Sequence, residues 1–138
     1  MASMIYNSCL DDVARNNIDL DTDSFKVMLV TSAYTPDKDT HTKRSDITNE
    51  VSGTGYSAGG AAVTLTVTKD TANDRIDTSL GGISLSSATI TARGAVYYKS
   101  RGGASSADNL VAYIDFGSDI TSTNGTWALT ASTLRIQN

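Results

Sequence analysis

Hydrophobic and polar residues alternate along most of the chain from residue 25 to residue 137. In the run 63–68, VTLTVT, three aliphatic side chains share one face of a strand and three threonines share the other. The runs 25–30 and 110–116 are more continuously apolar, which is typical of central strands covered on both faces. The pattern therefore predicts an all-β domain, either a β-sandwich or a jelly-roll-like fold.

Further strands are predicted where short apolar runs lie between glycine, asparagine and aspartate turns. They cover residues 61–69, 75–77, 83–85, 89–99 and 125–137, with the last one broken near Ala131. The polar segment 100–109 contains few apolar residues, so it is predicted to be an exposed and mobile loop.

One short helix is predicted at the N-terminus, over residues 4–17. Ile5, Cys9 and Val13 recur every four residues, and polar side chains occupy the opposite side. The helix is expected to dock on the sheets by this narrow apolar face. Residues 1–138 are thus predicted to form a single domain, with the main strands over 61–138.

Residues 33–60 form a long segment with few apolar residues, and it ends in a stretch rich in glycine. Because the segment is too long for an ordinary connection, we predict an extended arm that binds a partner. Its isolated apolar and aromatic side chains are the candidate interface residues, and deletion of 37–46 is expected to weaken binding and leave the fold intact. The alternative is a surface loop that packs on its own domain. The four candidates are Tyr34, Ile47, Val51 and Tyr56.

Composition and charge exclude several classes of partner. The formal net charge of −4 argues against binding to a phosphate backbone, and no apolar stretch approaches the length of a membrane span. The single cysteine, Cys9, cannot form an intrachain disulfide, so we expect a protein made and kept in the cytoplasm of its producing cell. Abundant threonine, serine and alanine favour a homo-oligomer, either a dimer or a trimer.

Three acidic residues near the first strand resemble the start of a calcium-binding loop. Asp19, Asp21 and Asp23 have the D-x-D-x-D spacing, but Ser24 stands where the loop needs glycine and Val30 where it needs glutamate. A solvated turn is therefore the preferred interpretation, and a weak cation site of another type is the alternative.

No set of residues with catalytic spacing is present in the sequence. The glycine-rich stretch 53–59 lacks the lysine of a phosphate-binding loop and precedes a strand, and His41 stands alone in a polar segment. Trp127 is predicted to be a core anchor. Tyr97 and Tyr98 point to opposite faces of one strand, so one is predicted to lie in the core and the other on the surface or at an interface. We therefore predict no enzyme activity, no cofactor and no bound metal.

Seven segments of the chain form a pattern that is known from other proteins. They are 25–41 (FKVMLVTSAYTPDKDTH), 46–56 (DITNEVSGTGY), 58–60 (AGG), 87–93 (SATITAR), 96–99 (VYYK), 112–118 (AYIDFGS) and 124–126 (NGT). They resemble a widespread group of small structural proteins from the virions of tailed bacteriophages. The resemblance implies a head decoration protein, or cement protein, that binds the outer surface of the capsid shell, with the major capsid protein as its partner. That group usually has a larger aromatic residue where Gly94 stands and often has a tryptophan near Leu85, so the chain departs from its pattern at these two places.

Two other functions stay open at the level of sequence. One is a tail or fibre component that contacts the host, and the other is a carbohydrate-binding module or small hydrolase. Sugar binding through Trp127 or a surface tyrosine would favour the carbohydrate-binding module.

Overall fold

Two antiparallel sheets make up most of the molecule, in a computed structural model that describes residues 2–138. Five strands are arranged in the order β1-β7-β6-β2-β3, and three in the order β4-β5-β8. This confirms the predicted all-β, sandwich-like domain with one short N-terminal helix. The elements are β1 (Met4–Ile5), α1 (Asn7–Ala14), β2 (Phe25–Val30), β3 (Ala61–Val63), β4 (Leu65–Asp70), β5 (Arg75–Leu80), β6 (Ile83–Lys99), β7 (Leu110–Leu129) and β8 (Ser132–Gln137).

The two sheets are joined by one long hairpin that passes from the first sheet into the second. In the small sheet Leu80 pairs with Ser132, and in the large sheet Ile83 pairs with Leu129. The register is the same on both sides of the junction, so β5 and β8 continue the ladder of β6 and β7. The ladder bends sharply between these two pairs, and this bend forms a corner of the sandwich. Strands that pass from one sheet to the other are a known way to make such a corner.

Two glycines make this corner possible. A Cβ on Gly81 would collide with the carbonyl oxygen of Thr64, and a Cβ on Gly82 would collide with that of Leu129. The amide of Gly81 also donates a hydrogen bond to the Thr64 carbonyl, at 3.1 Å. Thr64 itself separates β3 from β4, so the β3–β4 crossing between the sheets meets the β5–β6 crossing at this point.

The hydrophobic core has two parts, one on each face of the large sheet. The first part lies between the sheets, and the second lies under the N-terminal segment and the 33–60 segment. Buried residues of the first include Phe25, Val27, Leu29, Tyr97, Leu65, Leu80 and Leu134. Those of the second are Tyr6, Met28, Val30, Tyr34, Val96, Tyr98, Leu110 and Tyr113.

Because both faces of the large sheet are covered, Tyr97 and Tyr98 are both buried, with 0% and 1% of their surface exposed. The prediction that one of them is exposed is therefore wrong. The prediction that residues 25–30 form a central strand covered on both sides is confirmed.

Several predicted element boundaries also need correction. The helix is shorter than 4–17, because Met4–Ile5 pairs with β7 as an edge strand. The predicted strand 61–69 is divided at Thr64 between the two sheets. Conversely, the predicted strands 83–85 and 89–99 are one strand, since the irregular position at Ser87, with φ of 49°, is a bulge within the ladder and not a turn.

Candidate interface

The 33–60 segment folds back on the domain. Tyr34 and Val51 are buried, with 1% and 5% exposed, and Ile47 and Tyr56 are half-buried against the two parts of the core. In this chain Tyr34 and Val51 therefore leave almost no surface for a partner. The arrangement matches the alternative given above, a long loop that packs on its own domain.

Tyr34 is the centre of a hydrogen-bonded chain that fixes the start of this segment. Its hydroxyl lies 2.8 Å from the hydroxyl of Tyr6 and 2.8 Å from Nδ1 of His41. Because Nδ1 also accepts the amide of Asp37, at 3.3 Å, we assign it as the unprotonated nitrogen, so Tyr34 donates to His41 and accepts from Tyr6. Burial raises the pKa of Tyr34 to about 12 and also raises that of Tyr6. His41 thus acts in packing and hydrogen bonding.

A second set of hydrogen bonds fixes the glycine-rich end of the segment. One carboxylate oxygen of Glu50 accepts the amide of Gly59 at 2.6 Å and the hydroxyl of Tyr56 at 3.2 Å. The Tyr56 hydroxyl accepts the amide of Leu29 at 3.0 Å, and Tyr98 donates to the carbonyl of Gly59. The backbone of Gly59 is therefore bound on both sides, by Glu50 and by Tyr98, and this holds the glycine-rich end of the segment against the domain.

The middle of the segment is joined to the 100–109 loop by an ion pair. Nε of Arg44 lies 2.7 Å from Oδ2 of Asp108, and the amide of Arg44 donates to the Asp108 carbonyl at 2.9 Å. The other carboxylate oxygen of Asp108 accepts the amide of Arg101 at 2.9 Å, and the Arg44 guanidinium lies 5.2 Å from the ring centroid of Tyr98. We call residues 37–46 and 101–109, joined in this way, the latched end.

The latched end is also joined to the helix. The side-chain amide of Asn109 donates to Asp12 at 2.9 Å, and its oxygen accepts two bonds from the Arg101 guanidinium, at 3.1 and 3.2 Å. Asp12 in turn accepts from Asn17 at 3.1 Å. The prediction that 100–109 is exposed therefore needs correction, since Asp108 and Asn109 are buried.

The outer part of the latched end is open. Arg101 to Ala104 are exposed, and a Cβ at Gly102 or Gly103 would have nothing within 4 Å. In the other segment of the latched end, residues 37–46, Lys38 and Asp39 are exposed. A firmly held base thus carries a polar surface of small residues with charges of both signs.

The three acidic residues that resemble a calcium loop close a turn instead. Asp19 accepts the amides of Asp21 and Thr22, at 3.0 and 3.3 Å, and hydrogen bonds from Thr22 and Asp21 lower its pKa. Asp23 accepts the amide of Asp19 at 2.8 Å and lies 2.7 Å from Nζ of Lys99. Across residues 2–138 there is no group of three histidine, cysteine or acidic residues placed to hold a metal.

Two further candidates for chemistry lie in the core. Cys9 is 1% exposed, and burial raises the pKa of its thiol to about 12, so it is a poor nucleophile at neutral pH. Trp127 is 2% exposed, donates to the carbonyl of Ile120 at 3.1 Å and packs against Phe116. The prediction that Trp127 anchors the core is confirmed.

Sequence reasoning missed the residues that build the latched end. Arg44 and Asp108 are 64 positions apart, and each looks like an ordinary surface charge in its own segment. Nothing in the local pattern pairs them, so no sequence signal marks them.

No protein-family model, curated protein or solved structure matches this chain. Among the helices in residues 2–138, none is long and apolar enough to cross a membrane. The residues and geometry of the chain itself are therefore the grounds for its function.

Proposed function

We propose that this chain is a structural protein of a tailed-bacteriophage virion, and that it decorates the head by binding the outer surface of the capsid. The resemblance carried by segments 25–41 and 46–56 supports this proposal. So does the use of His41 and Cys9 in packing, because neither is placed to carry out a reaction. The partner in this proposal is the major capsid protein. The chain would be made in the host cytoplasm and reside on the virion.

The observation that carries the proposal is the ion pair between Arg44 and Asp108. It holds two surface loops in one arrangement before any partner is present. Ordering entropy is then lost during folding and not during binding, which favours attachment to a large preassembled surface. This replaces the expectation of an extended arm.

The composition of the outer surface supports binding to another folded protein. Gly102 and Gly103 allow close approach of backbone to backbone, and Arg101 precedes them in the chain. Lys38 and Asp39 supply exposed charges of both signs in the 37–46 part of the latched end. Polar contacts of this kind set the orientation and specificity of an interface more than they set its affinity. Many identical copies on a shell would then stabilise it collectively.

A carbohydrate-binding module has less support from the geometry. Trp127 is buried, and Tyr97 and Tyr98 are buried as well, so none of these rings is available to stack on a sugar. Co-sedimentation with separated heads and tails distinguishes a tail or fibre location from a location on the head.

The test is co-sedimentation of the purified protein with separated heads and tails from particles that lack it. We expect saturable binding to heads, weakened about tenfold by Gly103→Glu, which equals about 1.4 kcal/mol. Gly103 suits this test because a side chain there points into open space and leaves the fold unchanged. Ala72→Glu, in the exposed β4–β5 turn, is the matched control and should bind like the wild type.

Two results would contradict the proposal. Binding to tails and not to heads would make the chain a tail component. Equal binding of the Gly103→Glu variant and the wild type to heads would place the attachment surface away from the latched end.

A further inference from the structure

The two sheets have four edge strands, and β8 is the one that lacks protection against pairing with another strand. β1 and β3 have only two and three residues. β4 has six residues but carries Lys69 on the same face as the buried Leu65, and an inward-pointing charge discourages pairing. β8 also has six residues, with no proline, glycine or bulge, and with Ser132, Leu134 and Ile136 on its inner face.

The backbone groups that β8 leaves free can be identified from the ladder. The amide of Asn138 donates to the carbonyl of Asp74, so the even-numbered residues of β8 bond to β5. The amide and carbonyl groups of Thr133, Arg135 and Gln137 therefore point away from β5. In the part of the chain that the structure describes, no backbone bond joins them to another strand.

An open groove runs beside this edge, between β8 and β1. Its volume is about 330 Å³, and its lining includes Met4 and Ile5 of β1, Leu134 of β8, and Leu80 and Ala112 beneath them. Space and apolar surface for an additional strand are thus present next to the free backbone groups.

We propose that β8 pairs in an antiparallel manner with β8 of a second copy of this chain, about a two-fold axis at Leu134. In an antiparallel two-fold pair, opposed residues lie on the same face, so the axis must pass through a residue of β8. With the axis at Leu134, Thr133 lies opposite the partner's Arg135. With the axis at Arg135, two guanidinium groups would lie side by side, which is unfavourable.

Local charge supports a second copy as the occupant. Each molecule carries a net charge of −4, so an interface between copies must avoid adding to their repulsion. Asp77 already balances Arg135 within each chain, with N–O distances of 2.7 and 3.2 Å. The edge is therefore locally neutral. In this register Ile136, which is 37% exposed, lies opposite the partner's Ser132 and diagonal to the partner's Leu134.

The first test is sedimentation equilibrium from micromolar to millimolar concentration. We expect a reversible monomer–dimer equilibrium, and a dimer at least about tenfold weaker in Thr133→Pro, which lacks the outward N–H. An edge strand tolerates proline where its N–H faces solvent, and circular dichroism checks the fold. Thr133→Ala loses the same exposed side chain but keeps the N–H, so it should dimerise like the wild type. A monomer at all concentrations, or an undiminished dimer in Thr133→Pro, would overturn the proposal.

The second test fixes the register and does not depend on proline. Thr133→Cys and Arg135→Cys variants are mixed and oxidised, and the predicted pairing brings the two cysteines within disulfide range between chains. Cys9 is buried and should not interfere. Random pairing of equal amounts already gives about twice as much mixed dimer as either same-variant dimer, so we expect the mixed disulfide dimer to exceed this statistical ratio clearly. A statistical mixture, or less mixed dimer than that, would contradict the register.

Discussion

The carboxylate of Asp108 lies 2.7 Å from the guanidinium of Arg44, and the two side chains are 2% and 23% exposed. Each loop alone is a polar surface segment, and the pair makes them one structure. The latched end consequently contains one largely desolvated ion pair, whose contribution to stability can be measured by mutation of either partner.

Asp108→Asn should destabilise the protein markedly. It leaves the Arg44 guanidinium half-buried without its carboxylate partner, and breaking a buried pair in this way costs about 3–5 kcal/mol, with a smaller loss expected here because Arg44 keeps some exposure. Urea unfolding measures the effect. Asp11→Asn is the control, since it removes the carboxylate of the Asp11–Arg15 pair, whose side chains are 60–70% exposed, and such exposed pairs contribute little to stability. Equal losses of unfolding free energy in the two variants would mean that the Arg44–Asp108 pair stabilises the fold no more than an exposed ion pair does.

Tyr34→Phe should cost more stability than Tyr6→Phe. Removing the central hydroxyl leaves the buried Tyr6 hydroxyl without its acceptor, and an unsatisfied buried group costs about 1–3 kcal/mol. Nδ1 of His41 then keeps only the longer bond from the Asp37 amide. Removing the Tyr6 hydroxyl leaves the bond between Tyr34 and His41 in place. Thermal unfolding of both variants at neutral pH gives the comparison, and the reverse order would refute the central position of Tyr34 in the hydrogen-bonded chain.

Alkaline pH should unfold the protein through its buried tyrosines. Burial raises the pKa of Tyr34, Tyr97 and Tyr98 to about 12, above the usual value of 10.0. The folded state therefore retains protons that the unfolded state releases, so stability is complete below pH 10 and falls as pH rises from there towards 12. Tyrosinate absorbance and circular dichroism should change together. Ionisation of all tyrosines near pH 10 with the fold intact would contradict the burial.

Gly81→Ala should destabilise the corner between the sheets. The added methyl group would collide with the Thr64 carbonyl, and overpacking of this kind costs about 1–3 kcal/mol. Gly103→Ala meets open space and should stay within about 0.5 kcal/mol of the wild type. Urea midpoints of the two variants test this, and tolerance of alanine at position 81 would show that the chain crossing has room to adjust.

Alternation of polar and apolar residues was enough to predict the fold class, because one face of most strands is buried. It was not enough to predict where strands change sheets. The run 63–68 alternates without interruption, yet the chain crosses between the sheets at Thr64, whose carbonyl accepts the amide of the distant Gly81. Local pattern carries no information about such contacts.

The candidate interface was less predictable than the fold. The sequence indicates a long polar segment at 33–60 and predicts that the isolated apolar residues in it contact a partner. In the structure these residues pack on the chain's own core. Deletion of 37–46 would remove His41 and Arg44, so we no longer expect the fold to survive it intact. Whether a side chain such as Tyr34 faces a partner or its own core depends on tertiary packing.

Electron microscopy of the parent virion is the strongest test of head decoration through the latched end. We expect copies of this domain on the outer surface of the head, with the latched end facing the shell and residues 101–107 in contact with the major capsid protein. Density for the domain on the tail, or on the head with the latched end facing solvent, would contradict it.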